Sequence, residues 1–273
     1  MCSYFPKIGK KQQISINLKS NQVLTMKTVL ITGATSGIGM ATAKKIAKDF
    51  RLILCGRRQG RLDELKSGLD KITPVTTLQF DVRDKNGVFQ SIESLPKEFR
   101  GIDVLINNAG NAHGLVSFDE ADIEDLEAMI DGNVKGLIYV SKAVLPLMIP
   151  QGKGHIVNVS SIAGKDVYAN GTTYCASKWA VEALSKGMRL DLLKHGIKVT
   201  NIAPGAVETE FSLVRFKGDE ERSKLVYSGY EPLRPENIAE SIHFALMQPE
   251  HVQIGDITIT PKAQASGTTI LKN

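Results

Sequence analysis

Tyr174 and Lys178 stand four residues apart in "TTYCASKWAVEAL" (Thr172 to Leu184), at the head of an apolar-periodic run. On a helix, residues i and i+4 share one face, with Cβ atoms about 5–6 Å apart. Ala176, Ser177 and Ala180 are small, so little shields that face. A free tyrosine titrates near ~10, too high for proton exchange at neutral pH. A neighbouring ammonium favours the phenolate and lowers that value. The pair is either an acid–base device or a surface tyrosine beside a solvated lysine, and the rest of the chain must separate the two.

A second signal is "TGATSGIG", where Gly33, Gly37 and Gly39, with Thr35, Ser36 and Ile38 between them, follow the apolar run "TVLIT" and open a helical pattern. Between a strand and a helix, such glycines allow a tight turn and bring backbone N–H groups against a pyrophosphate at the helix N-terminus. That context favours a dinucleotide site. About 20 residues on, an NAD enzyme carries an acid for the adenosine ribose hydroxyls. This chain has "CGRRQGR" there: Gly56, then Arg57 and Arg58. A guanidinium matches a 2′-phosphate at two points, so NADP is expected over NAD; the rival is a pair of solvated arginines at a strand end.

The elements that must position these residues are legible as apolar runs alternating with helical patterns, the signature of βα units on a parallel sheet. Strands are expected at Thr28–Thr32, Arg51–Cys55, Thr76–Val82, Asp103–Asn107, His155–Ser160, Lys198–Ala203 and Asp256–Thr260. Helices are expected over Ala41–Ala47, Ile123–Leu147, Gly171–His195 and Pro235–Leu246, the last with proline near its first turn. Val207–Tyr230 reads as less regular. No linker or repeat divides the chain, so residues 26–273 are expected to form one α/β domain.

Composition sets the limits. With 42% hydrophobic and 23% charged residues, the 273-residue chain can bury a sizeable core. Nothing approaches the ~20 consecutive apolar residues of a membrane span. Cys2, Cys55 and Cys175 are scattered, which leaves neither a disulfide framework nor a zinc spacing and suggests a reducing, cytoplasmic setting without a metal. The net charge of +5 lies mostly in Lys7, Lys10, Lys11 and Lys19, because residues 1–25 contain no acid. The remainder is close to neutral, which removes the case for a nucleic-acid face. Residues 1–25 lack the apolar core and cleavage site of a secretory signal and contain no arginine. They read as a flexible N-terminal extension, or as sequence upstream of a start at Met26.

Taken in order, "TGATSGIG", "NNAG" (Asn107–Gly110), Asn133 of "DGNVKG", "SSIAG" (Ser160–Gly164), "YCASK" and "PGAVETEF" (Pro204–Phe211) resemble the short-chain dehydrogenase/reductase family, over Met26 to about Lys262. "VRFKGD" (Val214–Asp219), "GRR" and "LPLM" are similar to the NADP-dependent 3-hydroxy acid dehydrogenases that oxidise serine or reduce malonic semialdehyde. The resemblance implies a Rossmann-type, doubly wound, seven-stranded parallel sheet with helices on both faces. It also implies a catalytic set of Asn133, Ser161, Tyr174 and Lys178. Ser161 has the family's spacing from Tyr174, whereas Ser160 reads as structural.

In that scheme Tyr174 takes the alcohol proton in oxidation and returns it in reduction. Ser161 holds the substrate oxygen, Lys178 also binds the nicotinamide ribose, and Asn133 belongs to a water-linked proton path. Bringing the phenol near neutrality takes about three pK units, roughly 4 kcal/mol, expected from Lys178 and the oxidised nicotinamide ring. Asp81, followed by Val82, is expected at the adenine, with capping of the next helix as the rival. Asn108, Ala109 and Gly110 are expected along the ribose side, and Pro204, Gly205, Val207 and Thr209 at the nicotinamide carboxamide and pyrophosphate. Cys175 is expected to be buried packing.

A small anionic substrate needs a cationic partner, for which the candidates are His113, Lys165, Arg215 and Lys217. Arg215 is favoured because its fork holds a carboxylate at two points; its rivals are solvent, Glu210 or Asp219. The leading expectation is therefore an NADP-dependent oxidoreductase of small 3-hydroxy acids, assembled as a homotetramer through Ile123–Leu147 and Gly171–His195. The alternatives are a 3-ketoacyl or ketosteroid-type reductase with a larger pocket, and a silent dinucleotide-sensing scaffold. The charges in Val207–Tyr230 favour a small anion over a steroid, and the intact four-residue set argues against a scaffold.

Overall fold

The computed structural model describes residues 26–273; the expected extension, 1–25, lies outside the described residues. Among the described residues, β1 (Thr28–Thr32), β2 (Arg51–Gly56), β3 (Val75–Gln79), β4 (Ile102–Asn107), β5 (Gly154–Val159), β6 (Ile197–Pro204) and β7 (Asp256–Ile259) form one seven-stranded sheet. The order is β3-β2-β1-β4-β5-β6-β7 and every pair is parallel. Connecting them are α1 (Gly37–Ile46), α2 (Gln59–Leu69), α3 (Lys85–Glu93), α4 (Ile123–Ile130), α5 (Gly136–Met148), α6 (Thr172–Asp191), α7 (Glu210–Arg215), α8 (Glu220–Leu225) and α9 (Pro235–Leu246).

A strand covered on both faces has no polar side, which is why "TVLIT" reads as continuous rather than alternating. Successive side chains still diverge. Val29 and Ile31 join α1, α2 and α9 in one core, while Leu30 joins α3 and α5 in the other. The sheet is therefore doubly wound, as expected. Its order reverses between β1 and β4, so the loops after these two strands part and open a crevice at the carboxyl ends. No helix among the described residues is long and apolar enough to cross a membrane.

Three local expectations are corrected. The third strand stops at Gln79, which frees Phe80–Val82 to line the crevice. The helix expected over Ile123–Leu147 is interrupted by a π-helical turn, Asp131–Lys135, between α4 and α5. A residue at its centre, Asn133, is buried and tied sideways to another segment, and such an inserted residue widens the helix. Val207–Tyr230 is more regular than its composition suggests, since it contains α7 and α8, each with a side-chain N-cap (Thr209 and Asp219).

Candidate active site

The loop after β1 owes its shape to its glycines. Gly33 and Gly37 have φ of +65° and +48°, and a Cβ on Gly39 would lie 2.3 Å from the Gly33 carbonyl oxygen. The loop after β4 is laced to it: Thr32 Oγ1 accepts from the amides of Asn108 and Ala109, both at 3.0 Å. Asn108 Nδ2 donates back to the carbonyl of Thr32 at 2.9 Å. Ser36 precedes α1 in an extended conformation but its side chain caps nothing, and the first turn of α1 has no acid. The leading amides of α1 therefore face the crevice with a positive dipole end, a site suited to an anion.

The crevice holds a cavity of about 570 Å³. Every residue expected at the cofactor or substrate lines it except Gly39, which lies behind the loop against Gly33, and Asn133. Ser161 follows β5; its Oγ accepts from the Ala163 amide at 3.1 Å and approaches the Pro204 carbonyl at 3.4 Å. Tyr174 is 8% exposed and Lys178 7%. Lys178 Nζ donates to the Val159 carbonyl at 3.1 Å and lies 5.9 Å from the centre of the Tyr174 ring.

Asn133 sits behind this wall. Its Oδ1 accepts from the Asn111 amide at 2.7 Å, and its Nδ2 donates to the Asn111 carbonyl and to Ser177 Oγ, both at 2.9 Å. Ser177 Oγ in turn donates to the Tyr174 carbonyl at 2.7 Å. Asn133 thus ties the loop after β4 to α6.

The electrostatics differ from the simple expectation for Tyr174. Burial is the largest influence and drives its phenol well above the usual tyrosine range; nearby Tyr168 adds to this, while the Arg215 charge and the Ser161 hydroxyl oppose it. Lys178 is pulled down to about 8, chiefly by burial, with the Glu182 charge resisting. In the chain by itself, then, Lys178 does not bring the phenol down, because desolvating both groups costs more than their separation returns.

Of the four cationic candidates, only Arg215 lines the main cavity. Its guanidinium carbon lies 5.1 Å from the centre of the Tyr174 ring, and Nη2 donates to Tyr168 Oη at 3.1 Å. Its Nε is buried and has no hydrogen-bond partner among the described residues. Neither acid expected as a rival reaches it: Glu210 pairs with Arg58 and Arg61, and Asp219 caps α8. Lys165 pairs with Glu182 and Asp256, and Lys217 with Asp125 and Asp122. His113 lines an adjoining small cavity that Tyr174 and Arg215 also wall, its pKa lowered mainly by burial.

At the far end, Arg58 donates to Thr35 Oγ1 and to Glu210, and Arg57 lies 3.6 Å from Asp81. Asp81 is not a helix cap. It accepts four hydrogen bonds from Arg83, and although burial opposes its charge, those bonds and the Arg83 and Arg57 charges hold it below the usual carboxylate range. Residues that sequence reasoning missed include Tyr168, Phe211, Tyr227 and Tyr230, which line the same cavity, and Arg61, which shares Glu210 with Arg58. Their separation along the chain leaves no spacing to read.

Comparison with known proteins agrees with this geometry. Residues 27–219 match the family model described as short chain dehydrogenase. An "NADP-dependent 3-hydroxy acid dehydrogenase" of Schizosaccharomyces pombe is 43% identical over 250 residues, 90% of this chain and 96% of the relative. "Sulfoacetaldehyde reductase 2" of Chromohalobacter salexigens is 43% identical over 239 residues, 87% of this chain and 95% of the relative. A serine dehydrogenase solved in a closed form with NADP+ superposes with a TM-score of 0.84 at 40% identity, covering 90% of this chain and 99% of that one. The chain belongs to the short-chain dehydrogenase family.

Proposed function

We propose that this protein is an NADP-dependent oxidoreductase that moves a hydride between the cofactor and a small 3-hydroxy acid or its carbonyl form, such as serine or 3-hydroxypropionate and malonic semialdehyde. The observation that carries the substrate class is the Arg215 guanidinium against the Tyr174 ring, inside the cavity that also holds Ser161 and Lys178. The reacting hydroxyl and the carboxylate of a 3-hydroxy acid are a few bonds apart, so one molecule can meet Tyr174 and Arg215 together.

The residues present fit NADP. The uncapped N-terminus of α1 receives a pyrophosphate, and the end of β2 offers Arg57 and Arg58 with no acid at Gly56. A 2′-phosphate would take over from Glu210 as the anion beside Arg58. Asp81 and Val82 would hold the adenine, Asn108–Gly110 and Lys178 the ribose side, and Pro204, Gly205, Val207 and Thr209 the nicotinamide end. Bound NADP supplies the hydride acceptor and a positive charge, or in its reduced form the hydride donor.

The chain's own residues move the proton. In oxidation Tyr174 Oη takes it from the substrate hydroxyl; in reduction it returns it to the carbonyl oxygen. Ser161 Oγ, held by the Ala163 amide, hydrogen-bonds that oxygen and keeps it against the phenol. Lys178 contributes a buried positive charge that favours the phenolate. Asn133 fixes the α6 wall from behind.

A sulfonate in place of the carboxylate is the second reading, supported by the relative named as a sulfoacetaldehyde reductase, because a guanidinium pairs with either anion. Exposed Ile123, Trp179 and Leu190 on α4 and α6 support a homotetramer built on those helices, and the buried free thiols Cys55 and Cys175 suit a cytoplasmic setting. The test is NADPH oxidation with malonic semialdehyde, sulfoacetaldehyde, an acetoacetyl thioester and a steroid ketone. Turnover of the last two alone would overturn the anionic-substrate reading, and NADPH binding without any turnover would indicate a scaffold.

A further inference from the structure

Lys178 is a buried cation whose hydrogen-bond partner is a carbonyl, not an acid. A buried ammonium without a counter-charge gives up its proton. One helical turn further along α6 stands Glu182, 5% exposed. Its Oε1 accepts from Asn201 Nδ2 on β6 at 2.7 Å, and its Oε2 accepts from Lys165 Nζ at 3.1 Å. Lys165 also donates to Asp256 Oδ2 at the head of β7, at 2.9 Å, and Asn201 donates to the same oxygen at 2.8 Å. Two carboxylates thus enclose one ammonium, which leaves one negative charge beside Lys178 for its one positive charge.

The cluster also holds the turn that bears Ser161. Lys165 directly follows Ser161–Gly164, and Gly164 is pressed so closely on α6 that a Cβ would lie 2.7 Å from the Lys178 carbonyl oxygen and 3.0 Å from Glu182 Cγ. Ser160 Oγ donates to that same carbonyl at 3.3 Å. The turn is seated on α6 between the two residues.

We infer that Glu182, with Lys165, Asp256 and Asn201, is a buried counter-charge that keeps Lys178 protonated and seats Ser161 beside Tyr174. Glu182 is a positioning residue: it touches neither substrate nor cofactor and acts through Lys178. The inference rests on the acid–base role proposed for Tyr174 and Lys178, but its test reads Lys178 directly.

Few other ionisable groups bear on the pair. Tyr168, Cys175 and Arg215 act on Tyr174, and Glu182 acts on Lys178. β5 and β6 present the neutral Asn158 and Asn201. On the α4 side, Asp125 is paired with Lys217 and Asp131 with Lys135.

The experiment is acylation of Lys178 in the NADP-free protein as a function of pH, read peptide by peptide by mass spectrometry, in wild type, Glu182→Gln, Lys165→Met and Glu182→Asp. Removing the negative charge should lower the labelling midpoint by about one pH unit or more, the usual effect of a charge at this range. Lys165→Met leaves both carboxylates and should raise it. Glu182→Asp keeps the charge and should leave the midpoint near that of wild type. The alkaline limb of the kcat/KM profile for alcohol oxidation, where Lys178 loses its proton, should move in the same direction as the labelling midpoint in each variant. Midpoints that stay put, or that move the same way in Glu182→Gln and Lys165→Met, would overturn the inference and leave a merely structural tie. If circular dichroism shows Glu182→Gln to be unfolded, Asp256→Asn takes its place, with a smaller downward shift expected because Asp256 is half-exposed; no shift there overturns the inference equally. If labelling shifts as stated while turnover is absent on every substrate, the charge cluster stands and the proposed reaction falls.

Discussion

Arg215 places its guanidinium over the ring of Tyr174, 5.1 Å from its centre, with one nitrogen on Tyr168 Oη and another buried with no partner among the described residues. These two residues lie 41 positions apart in the chain; in the proposed reaction one moves a proton and the other holds the far end of the molecule that carries it. Replacing Arg215 by Leu should cost about 1.5–3 kcal/mol of charge-assisted binding, a ten- to hundredfold loss in kcat/KM with a 3-hydroxy acid. A neutral alcohol of similar size should lose less, and only through the weaker electrostatic support for Tyr174. Arg215→Lys should not restore the loss, because an ammonium lacks the fork. Equal losses on both substrates would mean that Arg215 braces α7 and does not read the anion.

Tyr174→Phe removes the proton-transfer atom and little else. Turnover should fall by ~10²–10⁴-fold, the usual worth of a general acid or base, while NADPH binding followed by fluorescence stays close to wild type. A variant keeping more than about a tenth of kcat would contradict the role.

Cofactor choice should respond to Arg58. Arg58→Leu should reduce kcat/KM with NADPH by about ten- to hundredfold and alter it little with NADH. Installing an acid at Gly56 is obstructed by packing, because a Cβ there would lie 2.8 Å from Thr35 Cγ2. Gly56→Asp alone should therefore lose about 1–3 kcal/mol of stability, visible in thermal melting. Adding Thr35→Ser removes that methyl while keeping the hydroxyl that accepts from Arg58, and should recover much of the loss. Equal melting temperatures for Gly56→Asp and wild type would refute the clash.

His155 should make the fold acid-sensitive. It is buried on β5, hydrogen-bonded to Thr200 at 2.7 Å, and burial, aided by Lys198 and Lys27, lowers its pKa to about 3. The unfolded chain binds this proton near pH 6.5 and the folded chain does not until about pH 3. The unfolded state therefore holds more protons throughout that window, and stability falls as pH drops, by about 1.4 kcal/mol per unit from this group. Urea unfolding of His155→Gln between pH 7 and pH 4 should show a shallower decline than wild type. An unchanged slope would show that His155 is not the group responsible.

Much of this protein is local and therefore readable in one dimension. The strand runs, the glycine turn, the missing acid at Gly56 and the i, i+4 placement of Tyr174 and Lys178 depend on residues within a turn or two of each other, where spacing translates directly into geometry. The π-helical turn at Asn133, the stop of β3 at Gln79 and the helices α7 and α8 were hidden, because each is decided by partners distant in sequence. The rise in the Tyr174 pKa was hidden for the same reason: residue type gives the charges, but burial is a property of the assembled core, and it outweighed the neighbouring ammonium. Among His113, Lys165, Arg215 and Lys217, all equally cationic on paper, the tertiary structure engaged two with acids and moved a third to another cavity. Arg215, the last residue of α7, alone of the four reached the main cavity. Sequence determines which groups exist and which near neighbours share a face; which charges are neutralised, and which stay free for a substrate, is settled only when distant segments compete for the same partners.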